Sequence, residues 1–268
     1  MTKFKVEIVG DIAIIKPRYG AQPALQESKY FADRLLEHHN YIKSAWLAVS
    51  PVQGPYKVRQ LVHLAGEERT ETVYKEHGCA FKVDVSKDFI TPRLSYEHIR
   101  VARLVSPGEV VVNMFAGVGT FSIIIARHSQ AKLIHSIDVN PDAYNHMVEN
   151  IRLNRVEDRV IPHLGDAAQV IIERLSGVAD RVLMPLPDLA LSYLPYAVQA
   201  LRGKGVIHVY LHVHASKNEE PESNALFPLE EAFSNLNVDW MPEGARIVRM
   251  VGPRFYQVVV DVRASVPR

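Results

Sequence analysis

Val110-Val-Val-Asn-Met-Phe-Ala-Gly-Val-Gly-Thr-Phe-Ser-Ile123, followed by Ile134-His-Ser-Ile-Asp-Val-Asn-Pro141, decides the fold. An apolar run stops at Gly117-Val-Gly119, a helix-compatible run follows, and a second apolar run ends in Asp138, about twenty positions on. This is a nucleotide-binding βαβ layout. Glycines at the carboxyl end of the first strand let a ligand approach the backbone with no Cβ in the way, and a carboxylate ending the next strand accepts the protons of ribose hydroxyls. The blander reading is an ordinary tight strand-to-helix turn.

A dinucleotide fold wants a third glycine where a pyrophosphate meets the helix amino terminus, but Ser122 stands there. A diphosphate is therefore not expected. Phe115-Ala-Gly-Val-Gly119 instead resembles the first motif of class I S-adenosylmethionine-dependent methyltransferases, whose cofactor carries adenosine and an amino acid but no phosphate. The resemblance implies cofactor contacts from Phe115, Ala116, Gly117, Val118 and Gly119, from Asp138 and Val139, from Asp166 and Ala167 in Leu164-Gly-Asp-Ala167, and from Pro185. Asp166 opening a helix also reads as a plain N-cap.

Working outward, the rhythm on the carboxyl side of Thr91 alternates helix and strand. Strands are expected at Val110–Met114, Leu133–Asp138, Val160–Leu164, Arg181–Met184 and Gly205–Val213, with an antiparallel pair at Ile247–Val251 and Tyr256–Val262. Pro92 precedes a helical run holding Glu97, Ile99, Val101, Ala102 and Leu104. The polar stretch Ser216–Asn224 reads as a solvent loop. On the amino side, Phe4–Val9 and Ile12–Ile15 flank Gly10-Asp11 as a hairpin. Leu25, Tyr30, Phe31, Leu35 and Leu36 recur at helical spacing, and strands follow at Trp46–Val49, Gln60–Leu64, Glu71–Tyr74 and Ala80–Val85. The expectation is an α/β protein: a Rossmann-like, doubly wound class I methyltransferase domain over residues 86–268, preceded by a small α+β domain over residues 1–85.

Bulk properties bound the rest. The 268 residues are 47% hydrophobic, enough for a sizeable core, and the net charge of +1 gives no global pull towards polyanions. Any nucleic-acid partner must be held by a local patch. Cys79 is the single cysteine, so no intramolecular disulfide or thiolate metal cluster is expected. No apolar run approaches the roughly 18 residues that span a bilayer. A cytoplasmic, membrane-independent monomer without metal is expected.

Five motifs narrow the resemblance. Phe89-Ile-Thr-Pro-Arg-Leu-Ser-Tyr-Glu-His-Ile-Arg100, Met114–Gly119, Ile137-Asp-Val-Asn-Pro-Asp-Ala143, Glu149-Asn-Ile-Arg-Leu-Asn154 and Ala179-Asp-Arg-Val-Leu-Met184 together resemble the archaeal and eukaryotic tRNA guanine-37 N1-methyltransferase family. In the first domain, Gly54-Pro-Tyr-Lys-Val-Arg59, His63–Glu67 and Thr70–Gly78 resemble it too. The resemblance implies S-adenosyl-L-methionine as cofactor, a tRNA anticodon stem-loop as partner, and Glu97 as the base that takes the proton from guanine N1. The alternative for Glu97 is a helix-surface ion pair. A cation near O6 is also required. It falls on Lys57 or Arg59, with Arg59 preferred because a guanidinium donates two parallel hydrogen bonds; either is otherwise a solvated loop charge. Arg93 and Arg100 are expected at backbone phosphates.

The chain departs from that pattern at three places. Pro185-Leu-Pro187 stands where the family places an Asn that holds the target base, and proline has neither an amide side chain nor an N–H. Within the family this resembles the archaeal branch that methylates a carbon of the tricyclic wyosine precursor as well. The family's first domain, which checks the tRNA elbow, has no counterpart in the sequence, so recognition is expected to rest on the anticodon arm unless the chain is a piece of a longer one. Asn113 replaces the usual Asp before Met-Phe-Ala-Gly, a mild change in loop hydrogen bonding. His208, His212 and His214 share one face of an expected strand without further ligands, which favours packing over a metal. The alternatives for the whole chain are a wybutosine aminocarboxypropyltransferase using the same cofactor, a noncatalytic RNA-binding relic and a nucleotide-dependent oxidoreductase.

Overall fold

The computed structural model describes residues 3–18, 24–236 and 238–266. Its first unit is a four-stranded sheet in the order β1-β2-β3-β4. Strands β1 (Phe4–Val9) and β2 (Ile12–Pro17) form the expected hairpin. Gly10 turns it at φ +57°, where a Cβ would lie 2.2 Å from the Thr72 hydroxyl. Helix α1 (Leu25–His38) crosses over so that β3 (Ser44–Ala48) runs parallel to β2, and β4 (Leu61–Gly66) closes antiparallel. Phe31, Leu35 and Leu36 pack against Phe4, Ile15 and Leu47 on this sheet. Leu25 and Tyr30, at the same helical spacing, are exposed instead.

The hairpin of β5 (Glu71–Glu76) and β6 (Cys79–Asp84) pairs with neither large sheet. A helix clamps its open edge. Asn150 accepts the Lys82 N–H at 2.7 Å and donates to the Lys82 carbonyl at 3.0 Å, while Asn154 does the same for Ala80 at 2.9 and 2.7 Å. Two residues one helical turn apart match the two-residue repeat of a strand, so two side-chain amides satisfy an edge that would otherwise be orphaned.

After a 3-10 turn at Pro92–Leu94 come α2 (Ser95–Leu104), β7 (Val110–Asn113), α3 (Thr120–His128), β8 (Leu133–Asp138), α4 (Pro141–Leu153) and β9 (Val160–Leu164). The short α5 (Ala167–Val170) runs into a π-type turn, then β10 (Ala179–Met184), α6 (Ala190–Ala200), β11 (Leu201–His214), α7 (Pro221–Ser234), β12 (Asp239–Gly252) and β13 (Phe255–Ser265) follow. They build one seven-stranded sheet in the order β12-β13-β11-β10-β7-β8-β9, parallel from β11 to β9, with β13 inserted antiparallel. The strand order reverses between β7 and β10. In such sheets ligands bind at the switch point, outside the carboxyl ends of the strands.

The expected doubly wound sheet is present, with two local differences. Strands β11 and β12 are longer than their apolar cores suggest, because each is ladder-paired to β13 along its length. The stretch read as a loop from Ser216 to Asn224 becomes helix at Pro221, whose fixed φ and missing N–H suit the first helical position. Helix α3 is buried all round from Phe121 to Ala126, covered by α2 and by the β5–β6 hairpin. Its Phe and three Ile side chains each contribute about 1.5–3 kcal/mol through burial, and this anchors the glycine bend at the helix's amino end.

Candidate active site

The glycine bend and Asp138 are built as one piece. Gly117 (φ +56°) and Gly119 (φ +91°) take left-handed backbone that disfavours side chains. A Cβ on Gly117 would meet only the Phe89 carbonyl, at 3.8 Å, so that side of the bend is open. The Gly117 N–H donates to Asp138 Oδ2 at 2.5 Å and the Asn140 N–H to Oδ1 at 2.9 Å. Burial pushes the Asp138 carboxyl up and the nearby Asp88 charge adds to it, against the pull of those N–H groups. Ala116, Val118 and Ala167 are buried, while Val139 is exposed beyond Asp138.

Asp88 completes the acidic side. Its Oδ2 accepts the Asp84 N–H at 2.7 Å and lies 2.8 Å from His146 Nδ1. Oδ1 is buried and has no hydrogen-bond partner. An open glycine bend, an ionisable acid beyond the second strand and an unpaired buried acceptor fit the hydroxyls and ammonium of S-adenosylmethionine.

Asp166 caps α5, with Oδ1 accepting the Ala168 N–H at 2.9 Å and the Gln169 N–H at 3.3 Å. Its other oxygen accepts the Tyr193 hydroxyl. Tyr193 in turn stands edge-on to Phe115, ring centroids 5.4 Å apart, so a side chain of α6 ties Phe115 to Asp166.

Glu97 lies in the first turn of α2 and is 2% exposed. Arg100 donates to it through Nε at 3.0 Å to both oxygens and through Nη2 at 2.6 Å to Oε1. Tyr210 donates to Oε1 at 2.8 Å and Arg246 Nη1 to Oε2 at 3.0 Å. Arg100 is thus engaged by carboxylates on both sides: Asp261 accepts from it at 2.6 and 3.1 Å. His208 Nδ1 meets Asp261 at 2.6 Å, and Arg181 donates to His208 Nε2 at 2.8 Å. Because Arg181 only donates, His208 is the neutral tautomer with its proton on Nδ1.

The strand register explains this convergence. His208 pairs with Asp261, Tyr210 with Val259 and His212 with Gln257; Val259 and Gln257 pair in turn with Arg246 and Arg249. Paired residues share a face, so three polar rows climb one face of the sheet beside α2.

Basic side chains gather next to that face. Glu7, almost fully buried, is approached by Lys16, by Arg59 at 3.8 Å and by the Thr91 hydroxyl at 2.6 Å. Burial lowers Arg59, and the charge of Arg93 lowers it further. Arg249 comes down to about 10 through burial and then Arg93 and Arg59, while its Nε donates to Gln257 at 2.7 Å. In Lys16, burial and the like charges of Arg59, Arg93 and Arg249 outweigh the contact with Glu7 and bring it to about 7. Lys57 sits elsewhere: it pairs with Asp188 at 2.8 Å, on the loop that carries Pro185. Pro185 itself is half-buried.

The site residues therefore fall into three groups: Phe115–Gly119, Asp138, Val139, Asp166 and Ala167 around the crevice; Glu97 and Arg100 in a buried charge network; Arg59 and Arg93 in a basic cluster. Sequence reading missed Tyr193, Tyr210, Arg246, Asp261, Lys16 and Arg249. Their only sequence signal is alternation in a strand or one more aromatic in a helix. Asn113 donates to Ser122 at 3.2 Å within the loop. Of the expected histidine face, His208 and His212 contact Asp261 and Asp188, and His214 stacks on Phe255. Among the described residues no cluster of His, Cys, Asp and Glu could hold a metal ion, and no helix is long and apolar enough to cross a membrane.

Comparisons with known proteins agree with this geometry. The family profile of the TRM5/TYW2 methyltransferase domain matches residues 72–231. The chain is 40% identical to the tRNA 4-demethylwyosine(37)-methyltransferase Taw21 of Saccharolobus solfataricus, over 97% of this chain and 94% of that one. Its structure superposes on crystalline Trm5b of Pyrococcus abyssi with TM-score 0.84 and 35% identity, covering 98% of this chain and 75% of the other. M. jannaschii TYW2, solved in complex with AdoMet, superposes with TM-score 0.72 and 27% identity, covering 98% and 100%.

Proposed function

The chain belongs to the TRM5/TYW2 methyltransferase family, and from that premise we propose that it transfers a methyl group from S-adenosylmethionine to nucleoside 37 of a tRNA, with carbon C7 of 4-demethylwyosine as the acceptor. The observation that carries this choice is the end-to-end likeness to a 4-demethylwyosine methyltransferase, joined to Pro185 where a base-holding amide is expected. Guanine N1 is the second reading, favoured by Glu97 and by the superposition on Trm5b.

Bound cofactor supplies an electrophilic methyl on a sulfonium. The chain's residues do the rest. The Gly117–Gly119 bend admits the adenosine close to backbone, and Asp138 accepts its ribose hydroxyls, with Val139 alongside the adenine. Phe115 and Asp166, joined through Tyr193, line the adenine end. Glu97 accepts the proton lost by the attacked atom, whether C7 or N1. Pro185 offers only its carbonyl to the base, which suits an acceptor whose edge has been closed into a third ring. Arg59 donates to O6 of the base and to a phosphate, Arg93, Arg249 and Lys16 hold phosphates flanking the target, and Lys57 fixes the loop of Pro185 by way of Asp188.

Residues 1–85 then act as the RNA-binding and catalytic-support unit, with the β5–β6 hairpin docked on the second, and residues 86–268 as the cofactor domain. The test is methylation of two anticodon stem-loops, identical except for guanosine or 4-demethylwyosine at position 37. Methylation of the tricyclic base and not of guanosine supports the first acceptor, and the reverse supports the second.

A further inference from the structure

Strand β11 outruns its parallel neighbour. Met184, the last residue of β10, pairs with Val209, so His212 stands beyond the end of β10, where loop 185–188 begins. Ligands bind at that end of such a sheet. His212 lies two positions on from Tyr210 and shares its face, and Tyr210 donates to Glu97. Across the sheet His212 pairs with Gln257, which pairs with Arg249 of the basic cluster and accepts its Nε–H at 2.7 Å. The loop of Pro185, the Glu97 network and the basic cluster are thus grouped around one side chain.

That ring is held with one nitrogen free. His212 Nδ1 meets Asp188 Oδ1 at 3.2 Å, and Lys57 fixes the other oxygen of Asp188 at 2.8 Å. The Lys57 ammonium and, after it, His212 hold the Asp188 carboxyl below its ordinary value against burial. A carboxylate only accepts, so Nδ1 carries the proton. Burial, with Arg249 and Lys57 nearby, lowers His212 against the pull of Asp188, and the imidazole is neutral. Nε2 is then an acceptor, and it has no hydrogen-bond partner among the described residues. The His212 side chain is 27% exposed, open to a ligand, and Phe255 backs it with ring centroids 5.1 Å apart.

We propose that His212 is a specificity-determining residue that accepts a hydrogen bond from the target base, replacing the amide that the loop of Pro185 lacks. The inference rests on the proposed function and deepens it. Both acceptor bases present a carbonyl oxygen, then the attacked atom, then an N–H donor in order around their edge. The donor is the amino group in guanine and a ring N–H in 4-demethylwyosine. Arg59 is assigned to the oxygen and Glu97 to the attacked atom. The N–H is left, and a neutral Nε2 is its matching acceptor. Adenine carries a C–H where guanine carries the amino group, so it gains nothing from His212.

The test measures binding of anticodon stem-loops carrying guanosine, 4-demethylwyosine or an abasic sugar at position 37. The proteins are the wild type, His212→Asn and His212→Gln. Asn keeps a donor for Asp188 but has nothing at the place of Nε2, whereas Gln reaches that place with an amide oxygen. His212→Asn is expected to bind the tighter of the two base-bearing RNAs roughly 10-fold more weakly, about the effect of one hydrogen bond. It should bind the abasic RNA as the wild type does and keep wild-type cofactor affinity by calorimetry. His212→Gln should recover most of the loss. Equal effects on base-bearing and abasic RNAs, wild-type binding by His212→Asn, a larger loss in Gln than in Asn, or cofactor binding lost in both variants overturns the role of His212. A wild-type protein that methylates neither base-bearing stem-loop overturns the proposed function, a failure that the binding measurements register separately.

Discussion

The backbone N–H of Gly117 donates to the carboxylate of Asp138 at 2.5 Å, so the bend that admits a ligand and the acid that grips it are fastened to each other across two strands. Removing the acid should therefore cost twice, through the missing ribose hydrogen bonds and through a loosened bend. Asp138→Ala should weaken S-adenosylmethionine binding by about 1.5–3 kcal/mol, the range for hydrogen bonds to a charged group. Calorimetry measures it. The pH dependence has a definite sign: burial and Asp88 raise the Asp138 carboxyl, so protonation begins at a higher pH than for an ordinary aspartate, and cofactor affinity should fall as pH is lowered through that raised value. Affinity that is flat across the acidic range would contradict it.

Asn150 clamps both the Lys82 backbone and the Val118 carbonyl, the latter at 3.1 Å. Asn150→Ala leaves an edge strand and a loop carbonyl unpaired in a buried place. Stability should drop by about 1–3 kcal/mol for each unsatisfied group, read by urea denaturation. Asn154→Ala, which touches β6 but not the glycine loop, should cost stability with less effect on cofactor binding.

The glycine bend was legible because its message is local. Gly117, Gly119 and Asp138 lie at fixed spacing within one βαβ unit, and the helix that follows opens on a largely apolar run from Phe121 to Ala126. The α1 helix and both hairpins could be read from periodicity for the same reason. Tyr210, Arg246, Arg249 and Asp261 were not, because each is one polar position in an alternating strand. They acquire meaning only from the rows that β11, β12 and β13 make together, and β13 enters the sheet out of sequence order between the other two. Lys16 is hidden likewise: its neighbours Arg59, Arg93 and Arg249 come from three distant segments.

Asp261 gives the buried network a signature in acid. Burial raises this carboxyl, but the hydrogen bonds from His208 and Arg100 override it and hold it well below the usual carboxylate range. A depressed folded-state value adds stability that is complete above the unfolded aspartate's pKa of about 3.9 and is lost as pH falls below it. Asp261→Asn should remove that increment, costing about 2 kcal/mol near neutrality and flattening the acid limb of stability against pH. Parallel acid limbs in mutant and wild type would contradict the network.

The basic cluster should report its hold on RNA through salt. Replacing Arg59, Arg93 or Arg249 singly by Gln should weaken binding of an anticodon stem-loop and reduce the slope of log affinity against log salt by about 0.7–0.9 for each phosphate no longer neutralised. Lys57→Gln, whose ammonium is occupied by Asp188, should leave the slope nearly unchanged. Filter binding across a salt series separates them.

Methyl transfer to nucleoside 37 is read most plainly from the mass of that nucleoside after incubating the protein with S-adenosylmethionine and an anticodon stem-loop carrying 4-demethylwyosine or guanosine. The expected outcome is a gain of one methyl group, suppressed in Glu97→Gln although that variant still binds cofactor. An added aminocarboxypropyl group, or an unchanged mass on both RNAs despite bound cofactor, would refute methyl transfer by this chain.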